Sequence, residues 1–284
     1  MRLLTLTLTV AVLGAAPASA MADVLVAPAP GAVNLAGGGG YLAWFAPPSD
    51  SVDSWHLMVR TPDGTLARPA IAAFDEPTPL AIGSGVNAAP TDPRSRPLLA
   101  VYGRDDGDLY AYDLRAGGER RLSALSTRAY REHAPSIQYG TIVFARSGGR
   151  RPGVYVASPR GSVRRLSAAA ATATAFNGSR YAYTTPRAVT VRRLSGEGRP
   201  LRFATTSRPL SPLLTRYRVG WLQSGGRAFQ TPRFAGSGGP FHVDRAAAAN
   251  RLLPATTQSV GLDGDVVGLY LDAEGVKRAV PRLF

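Results

Sequence analysis

The phrase GVYVASPRGSVRRLS at residues 153–167 returns, little altered, as DLYAYDLRAGGERRLS at 108–123. Each copy is two short runs of β-branched or aromatic residues, split by a Gly- or Pro-containing turn and closed by Arg-Arg-Leu-Ser. Runs of this length and composition are strand signals. A chain that repeats one supersecondary unit buries its apolar faces by stacking the copies, and this narrows the possible architectures more than any other feature here.

Extending the phrase upstream completes the unit. PSIQYG, TIVFARSGG, GVYVASP and GSVRRLS, over residues 135–167, predict four strands. The preceding unit, 97–123, gives PLLAVYGRDD, DLYAYDLR and GERRLS; the following one, 173–204, gives ATAFNG, SRYAYTTP, AVTVRRLS and GRPLRFA. VNLAGGGG, YLAWFAPP, SWHLMVRTP and GTLARPAI, over 33–71, fit the same frame. Toward the C-terminus the pattern loosens into SPLLTRY, RVGWLQSG, GRAFQTPRF and GPFHVDR, then TTQSVGLDG, DVVGLYLD and VKRAVPRLF.

Second strands are predicted to start at Tyr41, Leu98, Thr141, Arg180, Arg218 and Asp265, with separations of 57, 43, 39, 38 and 47 residues. A four-stranded propeller blade occupies about 40–45 residues. The expected fold is therefore all-β, a six-bladed β-propeller of four-stranded antiparallel blades. The sixth unit supplies three strands, while DVLVAP at 23–28 precedes the first unit unassigned. That N-terminal strand is expected to join the last blade and close the ring, which removes the open edges. TIVFA is apolar throughout, as a strand covered on both faces requires. The arginines of RRLS suit an outermost strand, where charge discourages edge-to-edge pairing.

The units and their turns together resemble the WD-like propeller repeat of TolB and of the propeller domains of prolyl oligopeptidases. HAPSIQYGTIVFARSGGRRPGVYVASPRGSVRRLS and AVYGRDDGDLYAYDLRAGGERRLS carry the resemblance: Pro-Ser before a Gly turn, an apolar strand, a Val-Tyr or Leu-Tyr strand, another Gly turn, then Arg-Leu-Ser. The resemblance implies the propeller alone, over 21–284, without TolB's α/β domain or the peptidases' catalytic domain. No Gly-x-Ser-x-Gly elbow occurs in the chain. Scaffolds of this kind host unrelated functions.

Residues 1–20, MRLLTLTLTVAVLGAAPASA, have the layout of a secretory signal peptide: Arg2, an apolar stretch, then Ala18-Ser19-Ala20. A membrane span needs about 20 apolar residues, and Pro17 and Ser19 interrupt this one. A secreted or periplasmic product, soluble and monomeric, is expected. It contains no cysteine, so buried apolar surface must stabilise it without disulfides. Its formal net charge of +14 comes from 33 Lys+Arg against 19 Asp+Glu, and Lys277 is the only lysine. Nucleic-acid readers concentrate positive charge on one face; here arginines are scattered, so nucleic acid is disfavoured as a partner. The scatter reads either as the arginine bias of a GC-rich genome or as a surface for cell-wall polymers or acidic polysaccharide.

Catalytic and metal chemistry find few residues. The three histidines, His56, His133 and His242, are dispersed, which does not suit a metal-dependent lyase. Asp105-Asp106-Gly107-Asp108 and Asp263-Gly264-Asp265 read as hairpin turns rather than calcium loops, because the spaced Asp and distal Glu are missing. Ser51-Val52-Asp53-Ser54-Trp55 only partly resembles the Asp box of sialidase-type propellers. Asn177-Gly178-Ser179 reads as a turn rather than a glycosylation site. No metal or other cofactor is expected. Five glutamates leave paired-carboxylate catalysis possible.

Strands of a blade alternate in direction, so loops joining second to third strands emerge beside the connectors between blades. That rim contains Arg104, Asp105, Asp106, Glu132, His133, Arg150 and Arg151, and polar loops on a rigid scaffold are where binding resides. The expected function is non-enzymatic binding of a protein, a peptide or an anionic envelope polymer through the rim or the central channel. The alternative is a small secreted hydrolase or lyase acting on carbohydrate or lactone.

Overall fold

In the computed structural model the described residues are 24–47, 54–85, 96–215, 218–223, 227–230, 251–252, 259–263 and 267–278. Residues 1–20, His242, the GPFHVDR segment and residues 264–265 lie outside them. The described residues form β-strands and turns with a β-propeller arrangement of four-stranded antiparallel sheets.

Strand β1 (Val24–Pro28) precedes a first sheet of β2 (Val33–Gly38), β3 (Tyr41–Ala46), β4 (His56–Arg60) and β5 (Leu66–Ala67). The next holds β6 (Leu80–Ser84), β7 (Leu98–Gly103), β8 (Leu109–Asp113) and β9 (Glu119–Arg121). It is followed by β10 (Arg131–Gln138), β11 (Thr141–Ser147), β12 (Gly153–Ala157) and β13 (Val163–Ser167). Then come β14 (Ala173–Asn177), β15 (Arg180–Thr185), β16 (Ala188–Arg193) and β17 (Leu201–Ala204). The fifth sheet contains β18 (Leu210–Leu214), β19 (Val219–Gln223), β20 (Arg227–Gln230) and β21 (Arg251–Leu252). Finally β22 (Ser259–Asp263), β23 (Val267–Leu271) and β24 (Gly275–Arg278) share a sheet with β1, which pairs antiparallel to β24 with Val24 opposite Arg278. The first strands contact one another in succession, β2 with β6, β6 with β10, β10 with β14, β14 with β18, β18 with β22 and β22 with β2.

The cores lie between sheets. All six residues of β7 are buried. Leu98, Ala100 and Tyr102 face Phe45, Val59 and Phe74 of the first sheet and its connector, while Leu99 and Val101 face Ile142 and Phe144 of β11. Both faces must then be apolar, and this explains why second strands read as continuous apolar runs. Similar clusters join β11 and β12 to Phe176, Tyr181 and Tyr183, and join Val189 and Val191 to Trp221. Leu269, Leu271 and Val276 pack with Leu35 and Trp44 of the first sheet. Fully burying one such side chain contributes about 1.5–3 kcal/mol.

Two strands differ from the sequence reading. The second unit's first strand, LAIGS (β6), went unpredicted, since its single β-branched residue, Ile82, gives no local strand signal. Tertiary contact defines it: a Cβ at Gly83 would lie 2.2 Å from the Ile137 carbonyl oxygen of β10, so only glycine allows the two strands this close. In the fifth unit, Arg251–Leu252, which pairs with β20, has no counterpart in the sequence reading, and the GPFHVDR segment lies outside the described residues.

Candidate functional site

At the rim, the repeat places an arginine two residues after an aromatic in consecutive sheets: Tyr102 then Arg104, Phe144 then Arg146. The Arg104 guanidinium sits 4.1 Å from the Phe74 ring centroid and 5.7 Å from that of Tyr110. It donates through Nη1 to the carbonyls of Ala72 (2.9 Å) and Ala73 (3.0 Å), and through Nε and Nη2 to Glu119 Oε1 (3.0 and 2.6 Å). Tyr102 Oη donates to the same oxygen at 2.7 Å. Burial, reinforced by this bond to a carboxylate, pushes the Tyr102 phenol far above the usual range.

Arg146 repeats the arrangement. Its guanidinium lies 4.6 Å from the Tyr155 ring centroid and 5.3 Å from those of Tyr130 and Phe144. Its Nη2 donates to the Leu125 carbonyl (2.7 Å) and its Nε to Glu132 Oε1 (3.0 Å). Thr127 Oγ1 donates to that same Oε1 at 3.2 Å. The other oxygen, Glu132 Oε2, is buried without a hydrogen-bond partner. Burial raises the Glu132 carboxyl above its ordinary value, and Arg146 opposes the rise. In both cases the accepting carbonyls belong to the connector arriving from the preceding sheet, so each arginine fastens that connector to the blade it enters.

The seven residues nominated from sequence thus have different fates. Arg104 and Glu132 are buried in separate internal pairs. Asp105 and Asp106 are exposed in the β7–β8 turn, where Asp105 Oδ2 accepts the Asp75 amide (3.4 Å). Asp106 accepts the Asp108 amide (3.0 Å) and the Tyr110 hydroxyl (2.8 Å), the latter bond raising the Tyr110 phenol. His133 is half-buried, and burial with neighbouring Arg131 lowers its imidazole below the usual value. Arg150 and Arg151 are exposed in the β11–β12 turn; the Arg151 carbonyl accepts from Tyr155 Oη at 2.6 Å. Sequence reasoning missed Glu119, Arg146 and the buried Asp108, which pairs with Arg121. The in-register Tyr-Gly-Arg at 102–104 and Phe-Ala-Arg at 144–146 are the signal by which the arginines could have been found.

A cavity of about 740 Å³ opens between the first strands β2, β6, β10, β14 and β18. Each is an edge strand of its sheet, so these edges bound the opening. The lining is mainly Ala, Gly, Pro, Leu and Ile with scattered amides and hydroxyls. Its charged members among the described residues are Arg115 and Arg208. Among the described residues, no group of three or more His, Asp or Glu is placed to hold a metal ion, and no helix is long and apolar enough to cross a membrane.

No protein-family model matches the sequence, and no curated protein matches it. Solved structures do. A Bacteroides thetaiotaomicron structural-genomics protein of unknown function is 10% identical with a TM-score of 0.55, covering 90% of this chain and 71% of that one. A chain of the nidogen/laminin complex is 10% identical with a TM-score of 0.53, covering 72% and 77%. Puromycin hydrolase is 15% identical with a TM-score of 0.52; the match covers 85% of this chain but only 50% of the hydrolase. What these likenesses share with the chain is the β-propeller fold.

Proposed function

We propose that this chain is an exported, TolB-like, six-bladed β-propeller, closed by β1 on β24, that binds a protein, a peptide or an envelope polymer without transforming it. The observation that carries the reading is the cavity among the first strands, bounded by strand edges and small side chains and holding no carboxylate among its described lining residues. Backbone donors and acceptors along strand edges suit an extended ligand. The rim argues less for catalysis: the one acid there with a raised pKa, Glu132, is sealed from solvent and engaged by Arg146.

Capture from the organism's own envelope with the tagged, secreted protein is expected to enrich one class of ligand. Enzyme-like turnover of a carbohydrate or lactone would overturn the reading. Closure has a separate test, since the chain lacks cysteine. Val24→Cys with Arg278→Cys, at directly opposed positions, is expected to form an intramolecular disulfide and raise Tm. Absence of that cross-link would rule the closed ring out.

A further inference from the structure

Three hairpins that leave the first strands turn in two residues: Gly39-Gly40, Tyr139-Gly140 and Gly178-Ser179. The first residue of each has positive φ, +59°, +48° and +53° respectively. Glycine fills that position in two of the hairpins, as a primed turn favours. In the third, a bulky tyrosine adopts a left-handed backbone that L-residues enter at a cost. Burial does not compensate, because Tyr139 is 58% exposed. The two-residue turn demands the positive φ, but neither backbone preference nor core packing accounts for tyrosine rather than glycine at that position. Backbone strain retained at an exposed residue points to a role outside the folded chain.

The surroundings say which role. The turn is pinned at the cavity mouth: the Tyr139 amide donates to Ser84 Oγ (3.3 Å), the Gly140 amide to the Ser84 carbonyl (2.8 Å), and Gln138 Oε1 accepts the Gly178 amide. The Arg96 guanidinium lies 5.7 Å from the Tyr139 ring centroid, and Arg115 Nη1 donates to the Arg96 carbonyl at 2.8 Å. Tyr139, Arg115, Ser84, Gln138 and Asn177 all line the cavity. One aromatic plane, two guanidinium groups and a set of amide and hydroxyl groups therefore meet at one end of an opening whose described lining carries no negative charge.

Resting on the binding reading above, we propose that this hairpin-side mouth is a subsite for an anionic saccharide, a uronic-acid-bearing polysaccharide. The Tyr139 ring stacks on the pyranose C–H face, Arg96 and Arg115 meet the carboxylate, and Ser84, Gln138 and Asn177 meet hydroxyls. An acidic peptide would use the arginines equally well, but it would give no reason to hold a strained, solvent-facing ring there.

Polygalacturonate is the probe, titrated against the secreted full-length protein, with neutral dextran and polyglutamate as the other arms. Binding to polygalacturonate alone is expected. Tyr139→Gly should weaken it by about tenfold while leaving Tm no lower than the parent's, because the strain is relieved. Arg115→Ala should weaken it comparably. Arg160→Ala, which removes an exposed charge from the β12–β13 turn, should leave it within about twofold. Four outcomes would overturn the proposal: no binding to polygalacturonate, equal binding to polyglutamate, a lowered Tm for Tyr139→Gly, or an equal loss for Arg160→Ala. If Tyr139→Gly captures the native envelope ligand as well as the parent does, the binding reading survives and this subsite does not.

Discussion

The Arg104 and Arg146 clusters occupy equivalent places in neighbouring sheets, yet they draw their carboxylates from opposite edges of the sheet. Arg104 takes Glu119, on the outermost strand β9 of its own sheet, whose side chain is 19% exposed. Arg146 takes Glu132, on the innermost strand β10, whose side chain is 0% exposed. Glu119 concentrates three donors on one oxygen and keeps contact with water; Glu132 has one oxygen satisfied and the other sealed without a partner. The same repeat phrase therefore builds one latch whose carboxylate keeps some exposure and one whose carboxylate is sealed.

The largest test removes the cation from the sealed latch. Arg146→Ala strands the Glu132 carboxylate in the interior, and the expected cost is about 3–5 kcal/mol in urea denaturation. A loss below that of Arg104→Ala would break the comparison. Arg104→Ala leaves Glu119 able to rehydrate, so the expected loss is smaller, about 1–3 kcal/mol, from the carbonyl bonds and ring contacts given up. The finest test is pH. The folded Glu132 carboxyl is raised above its ordinary value of 4.5 by burial, so its contribution to stability is fully present below that value and is lost as pH rises through the folded pKa. The stability of the parent relative to Glu132→Gln should fall over that window. A parent whose stability relative to Glu132→Gln stays level across that window would show that the carboxyl is not sealed.

Much of the scaffold was legible because its signals are local. Alternating or continuous apolar runs, Gly-containing turns and outer-strand arginines operate within a few residues, and they located the strands in the strong repeats. Where the signal was weak, legibility failed for a physical reason. LAIGS is a strand because β10 lies against Gly83, a contact that no property of those five residues announces. Of the rim candidates, Arg104, Asp105, Asp106, Arg150 and Arg151 lie in the β7–β8 and β11–β12 connections, whereas Glu132 and His133 read as loop residues and lie on strand β10; Arg104 and Glu132 read as loop polar groups and are interior ones.

By itself, then, the sequence determined a chain of antiparallel strand units whose second strands are apolar on both faces, since strand propensity and turn conformation are properties of neighbouring residues. Only the tertiary structure decided which acid each arginine meets. Glu119 lies 15 residues after Arg104 and Glu132 lies 14 before Arg146, so spacing alone cannot tell a partner across the sheet from one on its inner edge. It also decided that a strained tyrosine stands at the mouth of the cavity, because a turn becomes part of a mouth only when separate strands converge around one opening.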